Sequence, residues 1–132
     1  MPSLVLDTLA TIWYLEMSSQ LSPLARAAIQ AAIAGGDPVF VSSVTIVELI
    51  YLIEKRHFPT TLLDNLLAVL RQPASGFQVA PFGLSPAISL RTVSRSIRDM
   101  PDRMIAATAV ALGLPLVTRD RQIQSSGIPV VW

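Results

Sequence analysis

The sequence predicts one α/β domain spanning residues 1–132, a three-layer α/β/α sandwich around a central, mainly parallel sheet of four to five strands. Two observations carry that prediction. Short apolar runs alternate with segments whose apolar residues recur at helical spacing. Strands separated by helices pair in parallel through crossovers, which places helices on both faces of the sheet. A hydrophobic content of 52% supplies ample core, and no break in composition divides the chain into parts with separate cores.

The elements follow in order. Ser3 to Leu6 is an apolar run ending at Asp7, and Thr8 to Met17 then sets Leu9, Ile12, Trp13 and Leu15 at helical spacing. Ser22 caps a second helix with Pro23 at its first position, and Gly35-Gly36 ends it. Pro38 to Val41 is the second strand, after which Ser42 or Ser43 caps a helix reaching about Arg56. Thr60 to Arg71 is a leucine-rich helix with Leu62, Leu63, Leu66, Leu67 and Leu70 on one stripe. Pro73 to Gly76 is a turn, Phe77 to Pro81 a strand, and Ser85-Pro86 a cap and first-turn proline for a helix continuing to about Arg98. Pro101 opens an alanine-rich helix that stops at Gly113. Leu114 to Thr118 and Pro129 to Val131 are the last strands.

Composition excludes several classes of function. No run reaches the roughly 18 apolar residues that a membrane span needs, since Gly113 and Pro115 interrupt the stretch from Met104 to Thr118. Met1 to Leu15 contains no Lys or Arg and places Asp7 at its middle, unlike a secretory leader, so the expected location is the cytoplasm. The absence of cysteine removes disulfides, thiolate catalysis and thiolate metal sites. The net charge of +1 is uninformative, but nine of the ten cations are arginine, which suits phosphate recognition and is equally what a GC-rich genome produces. A charged fraction of only 14% leaves apolar surface for a partner, hence an expected homodimer.

Four acids then stand out by position. In an open parallel sheet, ligands bind beyond the carboxyl ends of the strands. Asp7 ends the first strand and Asp120 follows Leu116-Val117-Thr118 by two residues. Glu48 lies less than two turns into the third helix, and Asp102 lies in the first turn of the helix opened by Pro101. All four are expected at one edge of the sheet. Glu48 is expected to be buried, because Val44, Ile46, Val47, Leu49, Ile50, Leu52 and Ile53 make its helix apolar on nearly every side. A buried carboxylate needs a cation, a hydrogen-bond network or a raised pKa. Two carboxylates about 4 Å apart repel by about 4 kcal/mol at an effective dielectric near 20, a conflict that a divalent cation removes. Oxygen-only ligation selects Mg²⁺ or Mn²⁺ over Zn²⁺ or copper, and such an ion can activate water against a phosphodiester. The competing structural account treats the same acids as helix caps and partners of Arg103, Arg119 and Arg121.

Val5-Leu6-Asp7-Thr8, Val47-Glu48-Leu49, Asp99-Met100-Pro101-Asp102-Arg103 and Thr118-Arg119-Asp120 together resemble a PIN domain, specifically the VapC-like toxins of type II toxin–antitoxin pairs. The stretch from Asp99 to Asp120, with Ile105-Ala106-Ala107-Thr108-Ala109 and Gly113-Leu114-Pro115-Leu116-Val117, is the most specific part, and the resemblance spans essentially the whole chain. It implies an endoribonuclease that cleaves RNA through Mg²⁺ or Mn²⁺ and is held inactive by a cognate antitoxin. It also implies Asp7 and Asp102 as principal metal ligands, Glu48 and Asp120 completing the pocket directly or through water, and Thr8 and Thr118 positioning ligands or substrate by their hydroxyls. Leu9 departs from the pattern, since many relatives carry Ser, Asn or His there. Asp99, three residues before Asp102, is either a further ligand or a helix cap. In such toxins the helices beside the leucine stripe often form the antitoxin's groove.

Other residues carry weaker signals. Arg91, Arg95 and Arg98 fall on one face of the expected helix, available to RNA phosphates or simply to solvent. His57 is expected at a helix end, away from the chemistry, and Trp13, Tyr14 and Tyr51 are expected to pack rather than stack on bases. A haloacid-dehalogenase-type phosphatase needs an Asp where Leu9 stands. A receiver domain needs an acidic pair and a late strand-end Lys, and the one lysine is Lys55. The alternative from another class is a PIN-like fold that has lost activity and serves as a binding or assembly module.

Overall fold

The structure, a computed structural model, describes residues 3–132, so the first two residues of the predicted domain lie outside it. Five strands, β1 (Leu4–Leu6), β2 (Val39–Ser42), β3 (Phe77–Ala80), β4 (Leu116–Val117) and β5 (Val130–Val131), form one sheet in the order β3-β2-β1-β4-β5. Every pairing is parallel, with Leu6 opposite both Val41 and Val117. The helices are α1 (Thr8–Leu15), α2 (Pro23–Ala34), α3 (Ser43–Glu54), α4 (Thr60–Arg71), α5 (Leu84–Ser89), α6 (Met100–Leu112) and α7 (Arg121–Gln124).

Alternation along the strands divides the apolar material between two layers, as the pleat requires. Leu4, Leu6, Val39, Val41 and Val117 pack with Ile12 and Trp13 of α1, Ile29 of α2, and Leu62 and Leu66 of α4. Val5 and Leu116 face the other way, onto Ile105, Ala106 and Ala109 of α6 and Ile123 of α7. The leucine stripe of α4 is therefore core, with Leu62 and Leu66 buried and Leu63, Leu67 and Leu70 half-buried. Trp13 and Tyr14 pack as expected, Tyr14 lying 5.6 Å from the Phe77 ring, whereas Tyr51 stays exposed.

Most boundaries fall within two residues of expectation. Helix α1 stops at Leu15 instead of Met17, whose φ of 52° is left-handed, and Gly113 takes the left-handed position that ends α6. Ser42, not Ser43, caps α3 through its Oγ, while the Ser43 hydroxyl accepts from the Phe82 N–H. One larger correction concerns the segment after β3. The helix expected to run to Arg98 begins after Gly83 and ends at Ser89, followed by a single 3-10 turn, Leu90–Thr92. Val93 and Ile97 turn into the second core layer instead. The Arg103 guanidinium donates to the Leu90 and Val93 carbonyls at 3.3 and 3.4 Å, and the Ser94 hydroxyl bonds locally to Ser96. Such side-chain partners replace helical ones. Arg91, Arg95 and Arg98 are exposed, but they do not share a helix face.

Candidate metal centre

The sheet changes direction at β1: β2 and β3 extend to one side, β4 and β5 to the other. At such a switch point the loops leaving two adjacent strands splay apart and open a crevice at their carboxyl ends. Those two strands are β1 and β4, tied at their ends by the Asp7 N–H to the Val117 carbonyl (3.1 Å). The crevice is a cleft of about 420 Å³ lined by Asp7, Thr8, Leu9, Glu48, Leu52, Asp99, Asp102, Arg119 and Asp120.

Each acid is delivered by a helix start or a helix face. Asp7 caps α1, its Oδ1 accepting from the Ala10 N–H at 2.8 Å. Asp120 caps α7, a short helix absent from the sequence-based expectation, through Oδ1 to Gln122 and Ile123 N–H groups at 2.8 and 3.2 Å. Asp99 caps α6 through Oδ2 to the Asp102 N–H at 3.3 Å, and Asp102 occupies the first turn of that helix. Capping and membership of the acid cluster are thus not alternatives. Each cap bond uses one carboxylate oxygen and leaves the other for the cleft.

Glu48 corrects one expectation, since it is half-buried rather than buried. Val44, Thr45 and Leu49 of α3 are buried and Ile46 and Ile53 pack partly against the core, while Val47, Ile50 and Tyr51 remain exposed and Glu48 sits at the cleft wall. Its Oε1 accepts from the Thr8 hydroxyl at 2.6 Å, and Thr45 Oγ1 lies 3.1 Å from Thr8 Oγ1. A hydroxyl has one proton to give, so Thr45 donates to Thr8 and Thr8 to Glu48. Thr45 was not foreseen. Its signal is a hydroxyl three residues before Glu48 on an otherwise apolar helix. On the opposite wall Thr118 is fully buried, accepts from the Asp120 N–H at 3.0 Å and supports the Asp7 carboxylate.

Electrostatics follow from this crowding. Asp7 is raised to about 6, first by loss of hydration and further by Asp120 and Glu48, against the lowering effect of the Thr118 and Ala10 hydrogen bonds. Asp102 is raised to about 7, again first by loss of hydration, then by Asp99, Glu48, Asp120 and Asp7. The charges acting on both are carboxylates. Glu48, Asp99 and Asp102 each present an oxygen within 4.8 Å of the others, close to the roughly 4.2 Å that separates opposite ligands of Mg²⁺. His57 lies beyond the end of α3 and does not line the cleft.

A sequence profile described as PIN domain matches residues 4–127. The chain belongs to the PIN domain family. Among curated proteins, Ribonuclease VapC22 of Mycobacterium tuberculosis is 30% identical over 138 residues, covering the whole of both chains. Among solved structures, a toxin–antitoxin complex from Klebsiella pneumoniae holds a chain 25% identical, with a TM-score of 0.64 over 97% of this PIN domain and 95% of that chain. VapBC2 from Rickettsia felis, bound to a DNA fragment from its promoter, shares the fold at a TM-score of 0.72 and 15% identity, covering 97% of this chain and 96% of that one. Among the described residues no helix is long and apolar enough to cross a membrane.

Proposed function

We propose that this PIN domain is a metal-dependent endoribonuclease that hydrolyses RNA phosphodiester bonds as the toxin of a toxin–antitoxin pair. The observation that carries the proposal is the concentration of Asp7, Glu48, Asp99, Asp102 and Asp120 in one cleft at the switch point, where every neighbouring charge that acts on Asp7 and Asp102 is a carboxylate. The curated relative named a ribonuclease and the toxin–antitoxin complex among the solved neighbours agree with it.

The donor set fits Mg²⁺ or Mn²⁺: hard carboxylate oxygens, no cysteine in the chain, and its one histidine elsewhere. Asp7 and Asp102 would hold the ion, with Glu48 and Asp120 completing the shell directly or through water, and Asp99 available as a further ligand. Such an ion lowers the pKa of bound water and stabilises charge developing on a phosphodiester. The chain's own contribution is to fix the donors before the ion arrives. Thr45 and Thr8 hold the Glu48 carboxylate, Thr118 holds Asp7 and Asp120 together, and three helix starts immobilise one oxygen each of Asp7, Asp99 and Asp120. Arg91, Arg95 and Arg98, on an exposed irregular segment, are available to RNA beyond the cleft.

In the cell the partners would be RNA in the cytoplasm and a cognate antitoxin, with two copies pairing over exposed apolar residues such as Val47, Ile50 and Tyr51. Titration with Mn²⁺ and an RNA cleavage assay test the core of the proposal. Wild type should bind the ion and cut RNA, and Asp7→Asn should do neither well; an unaltered Asp7→Asn enzyme would refute the assignment. Growth arrest on expression, relieved by coexpressing the neighbouring open reading frame, tests the toxin role.

A further inference from the structure

Among the described residues that line the acid cleft, Arg119 is the one cation. Its guanidinium lies 4.5 Å from the centroid of the Trp13 ring, and Trp13 is itself a core residue whose ring lies 5.9 Å from that of Trp132. The platform is therefore fixed while the arginine above it is exposed. A cation–π contact holds a guanidinium over a ring without using up its N–H donors, which stay able to pair with phosphate oxygens. A long flexible side chain is thereby ordered before any ligand arrives, which lowers the entropic cost of the contact it then makes. The charges acting on Asp7 and Asp102 are all carboxylates, so the Arg119 guanidinium neutralises neither of them. An incoming nucleic acid meets a strongly negative cleft and needs a fixed positive group at its edge.

We infer that Arg119, docked on the Trp13 ring, binds a backbone phosphate of single-stranded RNA at the rim of the cleft. This rests on the nuclease proposal above and extends it to how substrate is held. The contact is with the backbone, so it serves every sequence alike, and it belongs to binding more than to the chemical step.

The test measures binding of a single-stranded RNA oligonucleotide across a range of salt concentrations, in an Asp7→Asn background that does not cut. Arg119→Gln should weaken binding about tenfold at low salt and reduce the slope of log K against log salt by about 0.7. Arg119→Lys should recover the slope, since it keeps the charge, but only part of the affinity, since it lacks the planar fork. In the cleavage-competent protein Arg119→Gln should raise KM and leave kcat nearly unchanged. An exposed stacking contact is worth little to folding, so all variants should melt within a few degrees of their parents. Unchanged salt slope in Arg119→Gln, a Lys variant no better than Gln, or affinity lost only alongside a collapse in melting temperature would each overturn the inference. If the otherwise wild-type protein cuts RNA while the slope stays unchanged, only the role of Arg119 falls. If it neither binds nor cuts RNA, the nuclease proposal falls and this inference with it.

Discussion

Two neighbouring depressions share Glu48, Leu52 and Asp99 as a common wall and have opposite chemistry. The acid cleft adds Asp7, Asp102 and Asp120 to that wall. The groove beside it, about 530 Å³, adds Val44, Val47, Tyr51, Pro101 and Met104 and is overwhelmingly apolar. Both are unfinished surfaces, but what each requires is different. Crowded carboxylates are satisfied by a small cation, whose field removes their repulsion. Exposed aliphatic and aromatic groups are satisfied only by removal from water, which takes another macromolecular surface. Helix α3 borders both, with Glu48 facing the cleft and Val44, Val47 and Tyr51 facing the groove, so one apolar-looking segment separates two surfaces of opposite chemistry.

If the cleft alone carries the chemistry, its acids should dominate any set of substitutions. Asp7→Asn and Asp102→Asn should each lower RNA cleavage by about 10²–10³-fold, the range found when a preorganised charge-stabilising group is removed, without loss of folding. Initial rates at saturating Mn²⁺ and circular dichroism check both halves. Next in size is the hydroxyl support. Thr8→Val removes the donor to Glu48 and leaves Thr45 without its acceptor. Loss of an outer-shell partner costs about 10–100-fold in metal affinity or activity, so Mn²⁺ affinity by calorimetry should fall within that range. A Thr8→Val protein with wild-type affinity would show that Glu48 stands outside the ligand set.

A smaller effect separates the cleft from the groove by pH. The carboxyl group of Asp102 has its ordinary value of 3.8 when unfolded and is raised to about 7 in the fold, and Asp7 is raised to about 6. Between these values the native state holds more protons than the unfolded chain, so stability falls as pH rises. In metal-free protein the stabilisation from these two groups is fully present below about pH 4 and is lost by about pH 7. Wild type should therefore lose stability relative to Asp102→Asn across that window, and Mn²⁺ should restore it above pH 7, because a ligand that binds only the native state stabilises it. Melting curves of both proteins in chelator, then with Mn²⁺, give the comparison. Parallel curves would mean that water screens Asp102 far more than its crowded setting implies.

The sequence disclosed the cleft better than it disclosed the groove, for a physical reason. Asp7 follows its strand directly and Asp120 follows β4 within three residues, and strand ends in a parallel sheet converge on one edge, so chain position alone located them. Glu48 was harder to judge. Its helix has apolar residues around most of its circumference, a pattern that denotes burial on all sides unless part of the face is left for a partner. The exposure of Val47, Ile50 and Tyr51 depends on what covers α3, and the helices α1, α4 and α6 that pack against it leave that side open. The helix expected to reach Arg98 failed on a tertiary contact, the reach of Arg103 to the Leu90 and Val93 carbonyls, which no local pattern announces. The four-residue helix α7 was too short to leave a periodic signal, yet it fixes Asp120.

The groove gives the smallest predicted effect on chemistry and the sharpest test of the division. Val47 is 67% exposed, lines the groove and does not line the cleft. Val47→Ser removes two methyl groups and introduces a hydroxyl that water can satisfy, so folding and Mn²⁺ affinity should stay within about twofold of wild type, as surface substitutions away from special features generally do. If two copies pair over this face, the same change should weaken self-association in sedimentation equilibrium, because burial of each methylene-sized group contributes about 0.8 kcal/mol and a symmetric interface counts every change twice. A variant that keeps its dimer but loses Mn²⁺ affinity would reverse the assignment, making the apolar wall part of the metal site and α3 a single functional surface.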